Sequence, residues 1–121
     1  MKEFKLIVAG GRDYNDYAQL EGKLIQLANT DLLAYEVSIV CGMARGADAL
    51  GFKFAKENQV QLYPYHADWN KHGKAAGFRR NVDMGNDADG LLAFWDGKSS
   101  GTKHMIDYMQ RLQKDVWVFN Y

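Results

Sequence analysis

Much that would narrow the function of this chain is missing from it. A single cysteine, Cys41, leaves no internal disulfide to form, and the first residues lack the apolar core of a secretory signal. No uninterrupted apolar run approaches the roughly 20 residues that cross a bilayer. Fifteen basic and fifteen acidic residues cancel, so there is no basic surplus to drive nonspecific binding to nucleic acid or to a membrane surface. Any nucleic-acid role would need a local patch. These absences lead us to expect a soluble, cytoplasmic protein with neither a membrane nor a nucleic-acid partner. Linkers, sequence repeats and low-complexity tracts are missing too, and 121 residues with 47% hydrophobic and 13% aromatic content suit one domain with a real core.

What is present is unevenly placed. Of five arginines, Arg12, Arg45, Arg79 and Arg80 fall in or beside glycine-containing segments, whereas the ten lysines spread over helix surfaces. Arginine is the better bidentate ligand of phosphate and carboxylate. A surface ion pair would account for Arg80 by itself; the four together point to an anion.

Apolar runs at 4–9, 37–41, 60–65, 91–93 and 116–119 read as strands, and Pro64 is expected at the end of the third, since proline cannot donate to a sheet ladder. Between them lie helically spaced sets: Tyr17, Leu20, Leu24 and Leu27; Ala47, Leu50 and Phe54; Ala75, Phe78 and Val82; Met105, Ile106, Met109 and Leu112. Strands alternating with helices predict an α/β domain, a five-stranded and mainly parallel sheet covered on both faces in three layers. In such sheets ligands bind beyond the carboxyl ends of the strands, near the switch in strand order. The turns after strands one, two and four end there, so Gly10, Gly11, Arg12, Gly42, Arg45, Gly46, Gly97 and Gly101 are expected to meet on one edge.

The turn at 94–102, rich in glycine and hydroxyls, is the most telling. Its glycines let backbone N–H groups approach a ligand, Ser99, Ser100 and Thr102 can donate, and a helix start carries partial positive charge. A tight loop with one capping residue would explain one serine and one glycine and leave the rest unexplained.

Several familiar patterns fail. Gly97-Lys98-Ser99 resembles the tail of a phosphate-binding loop, but Leu92 stands where its first glycine belongs. Gly97, Ser99 and Gly101 match G-x-S-x-G, yet no triad partners follow in the right order. No G-x-G-x-x-G follows a strand. His66, Asp68 and His72 have neither a second cluster nor a helical i, i+4 pair to make a metal site. Cys41, at the end of a buried strand, reads as a packing residue. Asp13 and Asp48 read as helix caps, with Asp96 left open as a ribose ligand or general base. Trp69, Phe78 and Trp95 could stack on a base, although buried aromatics are mostly core.

Four segments together resemble the YspA-like branch of the SLOG superfamily, named for the DNA-processing protein Smf/DprA and the lonely-guy cytokinin-activating enzymes. They are Gly10-Gly11-Arg12-Asp13; Gly42-Met43-Ala44-Arg45-Gly46-Ala47-Asp48; Asp68-Trp69 through Gly73-Lys74-Ala75-Ala76-Gly77 to Arg79-Arg80-Asn81; and Asp96-Gly97-Lys98-Ser99-Ser100-Gly101-Thr102. The resemblance implies a Rossmann-like fold over residues 1–121, a homo-oligomer, and a pocket for nucleotides or derivatives such as NAD or ADP-ribose. Members often act as ligand sensors or processors in bacteria and their phages. The lonely-guy pattern P-G-G-x-G-T-x-x-E is only partly kept: Gly101 and Thr102 match, but Met105 replaces the glutamate.

The leading expectation is therefore that the protein senses or sequesters a nucleotide-derived ligand. Arg12, Arg45 and Arg79 would neutralise phosphate, the turn with Gly97, Ser99, Ser100, Gly101 and Thr102 would donate hydrogen bonds, and Asp96 would face ribose. Gly10, Gly11, Asp13, Gly42, Gly46, Asp48, Trp69 and Asn81 complete the expected site, which calls for no metal and no cofactor beyond the bound nucleotide. The alternatives are a hydrolase of an N-glycosidic or phosphoester bond, with Asp96 as its catalytic candidate, and a module for single-stranded nucleic acid, against which the balanced charge argues.

Overall fold

The computed structural model describes residues 1–121. Five strands, β1 (Lys2–Gly10), β2 (Tyr35–Cys41), β3 (Leu62–Pro64), β4 (Gly90–Trp95) and β5 (Asp115–Asn120), alternate with five helices. The helices are α1 (Tyr17–Ala28), α2 (Ala47–Glu57), the single turn α3 (Trp69–His72), α4 (Ala76–Asp87) and α5 (Ser100–Arg111). All strand pairs are parallel, in the order β3-β2-β1-β4-β5. This is a Rossmann-like α/β domain.

Alternation along the strands divides the interior in two, because successive side chains of a strand point to opposite faces. Phe4, Leu6 and Val8 of β1, Ile39 and Cys41 of β2, and Leu92 and Phe94 of β4 meet Leu20, Leu24 and Leu27 of α1 and Phe54 of α2. Ile7, Ala9, Val40, Leu91 and Ala93 point the other way, onto Met84 of α4 and Met105, Ile106 and Met109 of α5. Each large side chain fully buried in this way contributes roughly 1.5–3 kcal/mol. Both faces of β1 and β4 are therefore apolar, which is why they read as continuous apolar runs.

The third strand is shorter than its apolar run suggests. Val60 N donates to Ala55 O at 2.9 Å and Asn58 N to Phe54 O at 3.0 Å, and Gln59 takes a φ of 55°, so Val60 belongs to the turn that closes α2. Pro64 does end the strand. The turn after β4 is also tighter than 94–102. Phe94 and Trp95 still pair with β5, and Ser100, Gly101 and Thr102 already form the first turn of α5. No helix is long and apolar enough to cross a membrane.

The strand order reverses between β1 and β4, whose following helices α1 and α5 lie on opposite faces of the sheet. A crevice must open beyond their carboxyl ends, where the two crossovers diverge.

Candidate functional site

Three loops are drawn into that crevice by backbone bonds. Gly11 N donates to Phe94 O at 3.1 Å, and Gly11 O accepts from Tyr14 N and Ala47 N at 3.2 Å each. The loop after β1 is thus tied to the end of β4 and to the start of α2. Gly46 completes the tie with a φ of 80°, and a Cβ there would overlap the Gly11 carbonyl and the Arg12 backbone. Only glycine accepts both the left-handed backbone and the close approach.

The turn after β4 is built by Asp96 and Ser99. Asp96 Oδ1 accepts from Lys98 N and Ser99 N, both at 2.8 Å, and these bonds hold its carboxyl below the ordinary carboxylate value. Ser99 caps α5, its Oγ accepting from Thr102 N at 3.4 Å and lying 3.1 Å from Thr102 Oγ1. The N–H groups of Ser100 and Gly101 open the helix, where no intrahelical acceptor exists. From α4, Asn81 Nδ2 donates to Gly101 O at 3.2 Å and lies 3.3 Å from His104 Nδ1. Asn81 is only 5% exposed, so it fixes α5 against α4 from inside the cleft.

Together these pieces enclose a cavity of about 620 Å³. Gly10, Gly11, Arg12 and Asp13 line it from the first loop, Arg45 and Asp48 from the second, and Asp96, Ser99, Ser100, Gly101 and Thr102 from the third. Trp69 and Asn81 reach it from α3 and α4. Four of the residues expected at the site stand apart from this lining. Gly42 faces an adjoining cavity, Gly46 is the backbone tie just described, Gly97 turns the chain with a φ of 83°, and Arg79 points outward from α4 into solvent.

Arg80 takes the place expected of Arg79. Its Nη1 donates to Gly42 O at 3.1 Å, its Nε is buried without a partner, and burial holds its pKa down. Gly42 makes room for it: a Cβ there would stand 3.0 Å from Arg80 Nε and 2.8 Å from Asp48 Oδ2. The signal was available in the helix period. Gly77, Arg80, Asn81 and Met84 fall at i, i+3, i+4 and i+7 and share one face of α4, and all four line the cavity with Phe78 and Lys74.

None of the three loop aspartates caps a helix by its side chain. The cap of α1 is Asp16, which accepts from Gln19 N at 3.1 Å. Asp13 instead accepts from Tyr121 Oη at 3.0 Å. Asp48 sits in the first turn of α2, only 4% exposed, with Oδ2 3.4 Å from Ala44 N. Burial pushes its pKa up to about 6, against the pull of nearby Arg80. Burial also pushes the Cys41 thiol up to about 11, which keeps it protonated and unreactive at neutral pH.

The arginines are not spent on one another's surroundings. The chain's two ion pairs join Lys53 to Glu57 and Lys103 to Asp107, so Arg12, Arg45 and Arg80 face the cleft outside any ion pair, although Asp48 lies near enough to Arg80 for each to feel the other's charge. The aromatics sort themselves as well. Trp95 is pinned, its Nε1 donating to Ser99 O at 3.1 Å. Trp69 and Phe78 remain 49% and 44% exposed at the rim, and Phe78 is steadied by an edge contact to His104 at 4.7 Å.

Comparison with known proteins places this geometry in context. The chain is 32% identical to the Gene 61 protein of Mycobacterium phage D29 over 113 residues, covering 88% of this chain and 89% of that one. Its fold matches DNA processing protein A from Helicobacter pylori, a protein described by its single-stranded DNA binding mode. The TM-score is 0.66 at 21% identity, over 95% of this chain and 64% of the other; the present chain thus spans less than two thirds of that protein.

The second likeness corrects two expectations. The Helicobacter protein, whose fold this chain shares, is described by its single-stranded DNA binding, so the expectation that nucleic acid is no partner is withdrawn, and a sensor of nucleotide-derived ligands no longer leads. A net charge of zero excludes a general basic surplus, but it says nothing of arginines gathered at one edge. Residues 4–72 match the model of the YspA, cpYpsA-related SLOG family, and with this match over more than half its length the chain belongs to that family.

Proposed function

We propose that the cleft binds single-stranded DNA. The observation that carries this reading is the meeting of three arginines outside any ion pair, Arg12, Arg45 and Arg80, with two exposed rings, Trp69 and Phe78, around one cavity. Strands bound without sequence preference are held in this way, by cations that track the phosphates and aromatic faces on which bases stack. Duplex offers its phosphates but keeps its bases stacked, so single strands are preferred. The open N–H groups of Ser100 and Gly101 add donors for a phosphate oxygen. The fold likeness to a protein that binds single-stranded DNA supports the same reading.

Fluorescence anisotropy of a labelled oligothymidylate, titrated at several salt concentrations, tests it. Three neutralised phosphates give a log–log salt slope of about −2 for a single strand. Folded protein that leaves the single strand unbound at low salt, or binds duplex equally well, would refute it.

A further inference from the structure

The cleft has a second compartment. Arg12, Arg45, Arg80 and Trp69 border the main cavity and also an adjoining one of about 560 Å³. Gly42, Met43, His66 and Ala67 line the second compartment alone. Its charge differs in kind from that of its neighbour. The main cavity mixes Arg12, Arg45, Lys74 and Arg80 with Asp13, Asp48 and Asp96, whereas no carboxylate lines the second.

Acidic and basic groups set side by side suit a nucleoside, whose base and sugar carry both donors and acceptors. A compartment bounded by three guanidiniums and an imidazole suits an anion without donors. Two further features show that this side is constructed. Gly42 lacks the Cβ that would crowd Arg80, which anchors the guanidinium through the bond from Nη1 to Gly42 O. Met43, next along, takes a φ of 61°, a left-handed backbone that side-chain-bearing residues adopt chiefly where the surroundings impose it, often at ligand sites.

We propose that the second compartment is a phosphodiester subsite, seating the backbone phosphate next to the nucleoside held in the main cavity, with Trp69 as the partition between them. This rests on the reading of the cleft as a single-strand site and divides that site into a mixed-charge and a purely cationic half.

Ala67 and His66 line only the second compartment, so a negative charge introduced there tests it. A carboxylate about 6 Å from a phosphate, at an effective dielectric constant of about 40, weakens binding about tenfold. Ala67→Glu and His66→Glu are each expected to lose that much affinity for an oligothymidylate and to show a salt slope shallower by about 0.7. Ala67→Gln, with the same bulk and no charge, is expected to lose no more than about threefold. A strand with neutral methylphosphonate linkages is expected to bind wild type and Ala67→Glu alike, since no phosphate charge is left to repel. Circular dichroism checks that each variant is folded.

Equal binding of the natural strand by Ala67→Glu and Ala67→Gln would overturn the subsite and leave the single-strand reading standing. An equal loss by Ala67→Glu on the neutral strand would do the same, by assigning the effect to shape. A wild type that binds no strand would end both.

Discussion

Replacing Asp48 by asparagine should make the protein more stable at neutral pH and leave the variant without part of the wild type's pH dependence. Asp48 is 4% exposed, and burial raises its pKa from the ordinary 3.8 to about 6 in the folded chain. A displacement of about two pH units corresponds to about 3 kcal/mol at about 1.4 kcal/mol per unit. The sign follows from proton counts. Between pH 3.8 and about 6 the folded state holds a proton that the unfolded state has released, so stability falls as pH rises through that window and levels off above it. Below pH 3.8 both states are protonated and the full contribution is present. Urea melts of wild type and Asp48→Asn at pH 3.5 and 7.5 isolate the effect, because other carboxylates titrate equally in both proteins. Relative to the wild type, the variant should gain about 3 kcal/mol between the two pH values, or roughly 10 °C in melting temperature for a chain of this size. A difference that stays constant across the range would show that the Asp48 carboxylate is solvated in the folded chain, and burial would fail as the cause of its raised pKa.

Other consequences are as direct. Gly46→Ala should cost about 2–4 kcal/mol in urea melts, since a left-handed backbone and an overlap with Gly11 and Arg12 are forced together. Trp69→Ala and Phe78→Ala should each weaken single-strand binding by about 1–3 kcal/mol in anisotropy titrations, while leaving melting temperature within a few degrees, because both rings are about half exposed. Arg80→Met should lower strand affinity and flatten the salt slope by about 0.7, and Arg79→Met, outside the cleft, should change the slope by less than half of that. The reverse order of these two arginines would return the phosphate contact to the outer face of α4.

The alternation of apolar runs and helical sets is a local property of the chain, and it correctly announces a parallel sheet covered on both faces. Where local geometry competed, the reading slipped. Val60 is β-branched and apolar, yet its N–H closes α2; Phe94 and Trp95 belong to the strand and not to the turn. The glycines were legible as a class, but Gly10 and Gly11 line the cavity while Gly46 only lets two loops touch.

By itself the sequence determined that residues 10–13, 42–48 and 96–102 lie at strand ends, and that strand ends of such a sheet share an edge, because parallel crossovers leave no other arrangement. Which side chains face the cleft was decided only in three dimensions. Arg79 and Arg80 are neighbours in sequence and identical in chemistry, but one residue of helix turns the chain by roughly 100°, so one guanidinium meets Gly42 and the other meets water. The charge is divided in the same way. A sum over the chain is zero, whereas the fold pairs Lys53 and Lys103 with acids on helix surfaces and leaves three arginines beside an opening with no carboxylate lining its second compartment. Electrostatic attraction is felt over about 8 Å in physiological salt, so a ligand responds to that local arrangement and not to the total.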